Sequence, residues 1–173
     1  MKVTRVLLTV AAALILQMAL ARFAVGGRWV FDLVLVGVVY AALRWGPVSG
    51  MWAGTLGGLM QDALGGDLVG LGGLAKTVAG MGAGVVGAQF IVARPLARAG
   101  MVAGVTVIHR LMITGLLAVV RQDWSGVPWT AMLIETGLNA VAGLLAFQLT
   151  DMVPGAVRQT RDLRRSSLSR RNW

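Results

Sequence analysis

Residues 6–21 read VLLTVAAALILQMALA and residues 111–120 read LMITGLLAVV. Neither stretch holds a charged side chain, and Thr9 and Gln17 are the polar interruptions of the first. Helical runs of this kind bury badly in a small soluble fold; their natural solvent is a bilayer, whose hydrocarbon core takes about 20 apolar residues to cross. The whole chain shares the bias. Of its 173 residues 57% are hydrophobic and 13% charged, with mean hydropathy +0.75, whereas soluble domains are roughly half apolar and about a quarter charged. Charge is too scarce to cover a water-soluble surface. The length suits one domain.

The sequence predicts an all-α fold, an integral membrane bundle of six transmembrane helices over residues 1–155. The spans fall at 3–21, 30–43, 47–64, 71–92, 101–120 and 129–153. Turn formers separate them: Gly26-Gly27, Gly46-Pro47, Gly65-Gly66 and Pro128. The first 21 residues have the layout of a signal peptide, with Lys2 and Arg5 before the apolar run and Ala19-Leu20-Ala21 after it. The run is long for a signal, and more spans follow, so it reads as a retained helix. After Pro154 the chain turns polar, rich in Arg and Ser; residues 156–173 read as a basic cytoplasmic tail, disordered or laid on the inner leaflet.

The formal charge is +9 and the pI near 11.8, which raises nucleic acid as a partner. The basic residues are placed against it: they sit at the ends of apolar segments and in the tail, where they report topology. One side holds eleven Lys and Arg, namely Lys2, Arg5, Arg44, Arg94, Arg98 and the arginines at 158, 161, 164, 165, 170 and 171; the other holds three, Arg22, Arg28 and Arg121. The excess puts both termini in the cytoplasm, the tail facing anionic lipid. Trp29, Trp124 and Trp129 then mark the outer interface and Trp45 the inner one.

Two features could carry function. Gly50, Gly54 and Gly58 recur every fourth residue on the third helix, and Gly80 and Gly84 on the fourth. Small residues on one helix face let backbones approach closely, either within this chain or as a groove for a partner helix. The second feature is charge inside apolar runs, which costs several kcal/mol in lipid and faces the bundle interior. Asp62 and Lys76 flank the short third connection, so they are expected to pair. Arg110 and Glu135 are expected to form a second bridge, with Asn139 one turn from Glu135 on the same face, and Asp32 completes a cluster. Paired charges that fix helix register, a small-molecule or ion pocket, and a partner's polar anchor all fit it. His109 is expected on another face than Arg110, as a hydrogen-bonded packing residue.

Catalysis is not expected. The sequence lacks His-Glu-x-x-His, Gly-x-Ser-x-Gly and a phosphate loop. With no cysteine and one histidine, neither a disulfide, a metal site nor a cofactor is expected.

Residues 32–84 read DLVLVGVVYAALRWGPVSGMWAGTLGGLMQDALGGDLVGLGGLAKTVAGMGAG. This block resembles the core of the MreD family of rod shape-determining membrane proteins. The resemblance is carried by Tyr40-Ala41-Ala42-Leu43-Arg44 with Gly46-Pro47, by Gly58-Leu59-Met60-Gln61-Asp62, and by Val69-Gly70-Leu71 leading to Lys76. It covers about a third of the chain; elsewhere only hydropathy matches. It implies a non-enzymatic scaffold of the bacterial cell-elongation machinery in the inner membrane, one that binds MreC and works beside MreB and the peptidoglycan polymerase–transpeptidase pair. The family is similar in fold to the substrate-binding components of energy-coupling-factor vitamin transporters, so small-solute uptake is the alternative. Those components dock through a small-xxx-small motif on their first helix; here Ala13 and Ala21 bracket Gln17, an imperfect version.

Overall fold

A computed structural model describes residues 2–20, 31–66, 68–90, 94–122 and 126–169, with side chains described over 3–152. Arg22, Gly26-Gly27, Arg28, Trp29 and Trp124 lie outside the described residues, as do the side chains of the tail arginines. Six α-helices follow in order: α1 Lys2–Ala19, α2 Leu33–Trp45, α3 Pro47–Gly65, α4 Leu71–Gln89, α5 Pro95–Arg121 and α6 Trp129–Ser169. There is no strand among the described residues. Three helical segments are long and apolar enough to cross a membrane: Leu71–Gln89, Pro95–Arg121 and Trp129–Met152. Val3–Ala19 and Leu33–Trp45 are shorter apolar helices.

Local chemistry sets the helix ends. Asp32 caps α2, its Oδ1 accepting from the Leu35 backbone N–H at 3.0 Å. Gly46, at φ +97°, ends α2, and Pro47 starts α3 at a position whose N–H has no helical partner. α3 stops at Gly66, φ +71°, in the left-handed region that glycine enters without strain. α5 begins at Pro95, six residues before the expected start at 101, because proline opens the helix just after the extended Arg94. Arg98 therefore lies within the helix. The backbone of α6 continues past residue 156 to Ser169, into the basic segment expected to be disordered or laid on the inner leaflet.

α2 is the axle of the bundle. It touches each of the other five helices, and its Val34, Leu35, Val38, Val39, Ala41 and Ala42 are buried on all sides. Against one flank α1 and α3 pack Val6, Val10, Leu14 and Ala53. Against the other, α4, α5 and α6 pack Ala79, Ala83, Val102, Val105 and Phe147. A helix apolar all round belongs inside a larger assembly of helices. The outer faces of its neighbours stay apolar too: Leu8, Ile15, Trp52, Leu64, Val119, Leu133 and Leu149 are exposed, a surface suited to lipid rather than water.

α3 and α4 form an antiparallel hairpin with backbones in contact. A Cβ on Gly50 would strike the Gly80 carbonyl, one on Gly54 the Lys76 carbonyl, one on Gly58 the Gly73 backbone, and one on Gly84 the Pro47 backbone. Gly80 faces the Gly50 carbonyl in return. All five glycines singled out in the sequence thus lie in the α3–α4 seam or at its α3 entry. Thr55 and Thr77 join hydroxyls across it at 2.8 Å. Gly82, midway between Gly80 and Gly84 on α4, has nothing within 4 Å of an added Cβ. Gly54→Ala should therefore destabilise the folded protein by about 1–3 kcal/mol through overpacking, and Gly82→Ala should leave it unchanged or slightly stabilised, the comparison being read from thermal melting of each variant in the same detergent.

Candidate functional site

Most of the polar residues buried in the bundle gather where α2, α4, α5 and α6 meet. Lys76 is 3% exposed, so its ammonium needs a partner within the protein. Its Nζ lies 2.7 Å from Asp32 Oδ2. This corrects the expected Asp62–Lys76 pair. Lys76 projects from the face of α4 that packs towards α2 and α5, and the nearest carboxylate there is the cap of α2. On its other side Lys76 Nζ is 3.5 Å from His109 Nε2. With an ammonium as donor, that ring nitrogen is the acceptor and the proton of the neutral imidazole belongs on Nδ1, which is buried without a partner.

Asp32 is held from a third direction. Its backbone N–H donates to Asn139 Oδ1 at 2.9 Å, and Asn139 Nδ2 donates to Thr106 Oγ1 at 3.3 Å. Thr106 in turn donates to the Val102 carbonyl on its own helix. Asn139 and Thr106 are fully buried. One chain of polar contacts therefore ties the α2 cap to α4 through Lys76, to α5 through His109 and Thr106, and to α6 through Asn139. The second expected bridge is present: Arg110 Nη2 lies 2.6 Å from Glu135 Oε2, linking α5 to α6. It is an ion pair by distance, with angles outside those of a hydrogen bond. Two cations and two anions balance within the cluster, which a low-dielectric interior requires: leaving one partner of a buried pair uncompensated costs about 3–5 kcal/mol.

Asp62 has other work. Its Oδ2 accepts from the backbone N–H groups of Gly70 and Gly73 at 2.9 and 3.1 Å. Gly70 is the N-cap of α4 and offers no side chain of its own. A carboxylate from α3 thus caps α4 across the turn, satisfying free N–H groups and meeting the positive end of the helix dipole. The loop geometry draws Asp62 to this helix start rather than to Lys76, which lies a turn and more further along.

Of the cluster expected from sequence, the structure brings Asp32, Lys76 and Asn139 into one network and Arg110 and Glu135 into an adjoining pair, and sets Asp62 apart. His109 and Thr106 belong with them and were not assigned there from sequence. Val102, Thr106 and His109 recur at helical spacing on α5, a signal that they share a face. Gln17 is a further buried polar residue: it is fully enclosed on α1, and its Oε1 accepts from the Val34 N–H in the first turn of α2 at 3.2 Å. Among the described residues no group of three or more His, Cys, Asp or Glu is placed to hold a metal ion.

No protein-family model, curated protein or solved structure matches this chain.

The network separates two neighbouring polar positions of α6. Asn139→Leu strands the Asp32 N–H in an apolar interior and is expected to cost about 1–3 kcal/mol. Thr136 bonds the Met132 carbonyl of its own helix, so Thr136→Val should cost little. Denaturant titration of both variants measures the difference, and equal losses would contradict the role given to Asn139.

Proposed function

We propose that this protein is a non-enzymatic membrane scaffold of the bacterial cell-elongation machinery, of the MreD kind, whose direct partner is MreC. In this reading the chain crosses the inner membrane six times with both termini in the cytoplasm, and MreB and the peptidoglycan polymerase–transpeptidase pair work beside it. The uneven distribution of Lys and Arg supports the orientation, and the basic tail meets anionic lipid at the inner leaflet. α2, with 13 residues, is about 20 Å long and shorter than the hydrocarbon core. Because five helices enclose it, its ends need not be exposed to lipid, and irregular backbone at membrane depth is tolerated where protein surrounds it.

The observation that carries the scaffold reading is the structural task of four elements of the block that resembles MreD: Gly46-Pro47, Gly58, Asp62 and Lys76. Gly46-Pro47 makes the α2–α3 corner. Gly58 allows α3 to lie on α4. Asp62 fastens the turn to Gly70 and Gly73, and Lys76 joins α4 to the cap of α2. These residues join α2, α3 and α4 into one three-helix body. A body of this kind suits docking: rigid surfaces bind without a large ordering cost.

Co-expression with affinity-tagged MreC tests the proposal. The protein should co-elute with MreC from detergent extracts, and Asp62→Ala, which unfastens the α3–α4 turn, should reduce that recovery several-fold while cells lose rod shape. Absence of MreC from the eluate, or unchanged recovery and normal rods with Asp62→Ala, would reject the proposal; a co-eluting vitamin in place of MreC would favour solute uptake.

A further inference from the structure

The ends of α5 and α6 on the side of the basic tail enclose a half-open cavity of about 370 Å³. Its walls divide by chemistry. Pro95, Leu144 and Met152 are apolar, with Pro95 and Met152 exposed and Leu144 half-buried; Arg98, Gln148 and Asp151 are polar. Arg98 Nη1 meets Asp151 Oδ2 at 2.5 Å, and the guanidinium carbon stands 5.0 Å over the Phe147 ring. Phe147 rests on Tyr40, ring centroids 5.2 Å apart, and Tyr40 on Trp45 at 5.7 Å. An aromatic stack that reaches the core therefore holds the arginine in place.

Both charges still reach the mouth of the cavity: the Arg98 side chain is 20% exposed and that of Asp151 46%. A surface ion pair of this exposure contributes little to stability, about 0–1 kcal/mol, so the fold alone does not explain an acid beside an arginine at this level. The position does. It lies at the end of the apolar segments Pro95–Arg121 and Trp129–Met152, the level of lipid headgroups if these helices span a bilayer.

We infer that this cavity binds the headgroup of an ethanolamine phospholipid. The phosphate lies against Arg98, whose guanidinium has five N–H donors and matches phosphate oxygens in geometry. The primary ammonium donates to Asp151. Gln148 serves the ester oxygens, and an acyl chain leaves over Leu144 and Met152. An anionic headgroup without an amine finds a cation there but also a repelling carboxylate. A choline headgroup carries positive charge but no N–H to give Asp151. The inference rests on α5 and α6 lying in a membrane and is independent of the scaffold role.

Thermal unfolding of the full-length protein in micelles doped with phosphatidylethanolamine, phosphatidylcholine or phosphatidylglycerol of matched acyl chains tests it. Binding to the folded state raises the midpoint by mass action, and phosphatidylethanolamine is expected to add about 3 °C over the other two. Asp151→Asn should abolish the preference for ethanolamine over choline, and Arg98→Gln should abolish the response to both. Equal shifts with all three lipids, a larger shift with phosphatidylglycerol, no shift with any, or a preference that survives in Asp151→Asn would each overturn the site. A chain that stays monodisperse without detergent would instead overturn the membrane placement on which the site rests.

Discussion

Lys76 carries an ammonium group into the middle of an apolar helical bundle, and the rest of the structure is arranged around compensating it. The charge is 3% exposed and meets a carboxylate that arrives from another helix, Asp32, at 2.7 Å. Asp32 is itself committed twice more, as the cap of α2 and as the N–H donor to Asn139. The carboxylate of this one residue caps the start of α2 and neutralises a cation, while its backbone N–H holds Asn139 of α6. Ion pairs of this burial do not add stability relative to apolar residues of the same shape; their effect is to penalise every arrangement in which the partners are apart. In a bundle whose helices are otherwise smooth and apolar, many rotations and slides are close in energy. A buried charge pair fixed at three points removes most of them.

Close packing makes this arrangement possible. Lys76 reaches Asp32 because α4 lies backbone-to-backbone on α3, where Gly54 faces the Lys76 carbonyl. Without that approach α4 would stand further from the axle helix α2, and the lysine would end short of its partner. Helices in an apolar medium have no hydrophobic drive to associate, so contacts between small residues and interhelical hydrogen bonds supply the attraction. Here the two operate on one hairpin. Glycines set the spacing, Thr55 and Thr77 join across it, and Asp62 closes the turn.

Much of the architecture is legible in the sequence. Apolar runs and turn formers mark all six helices, and α3 is placed to within one residue at its end, because glycine and proline act locally. Spacing alone puts Gly50, Gly54 and Gly58 on one helix face and Gly80 and Gly84 on another; that the two faces meet follows from the packing of α3 on α4. Arg110 and Glu135 pair as expected. The Asp62–Lys76 pairing fails for a reason sequence does not contain. Two residues that flank a tight turn are close in the chain, yet the start of α4 offers Asp62 bare N–H groups, and the rotation of α4 about its axis turns Lys76 towards α2. His109 is missed similarly: its neighbour Arg110 draws attention, while its contact with Lys76 depends on how α5 packs. The early start of α5 follows from Pro95, a signal present in the sequence and outweighed there by Arg94 and Arg98.

The claim that matters most is that Asp32 and Lys76 act as one unit. A double-mutant cycle in unfolding free energy measures this directly, with Lys76→Met, Asp32→Asn, which keeps a capping oxygen, and the two combined. The expected result is two strongly destabilised single variants and a double variant well above their sum, with a coupling energy of about 1–3 kcal/mol. Losses that simply add would mean that the two charges ignore each other, and the account of how this bundle holds its register would be wrong.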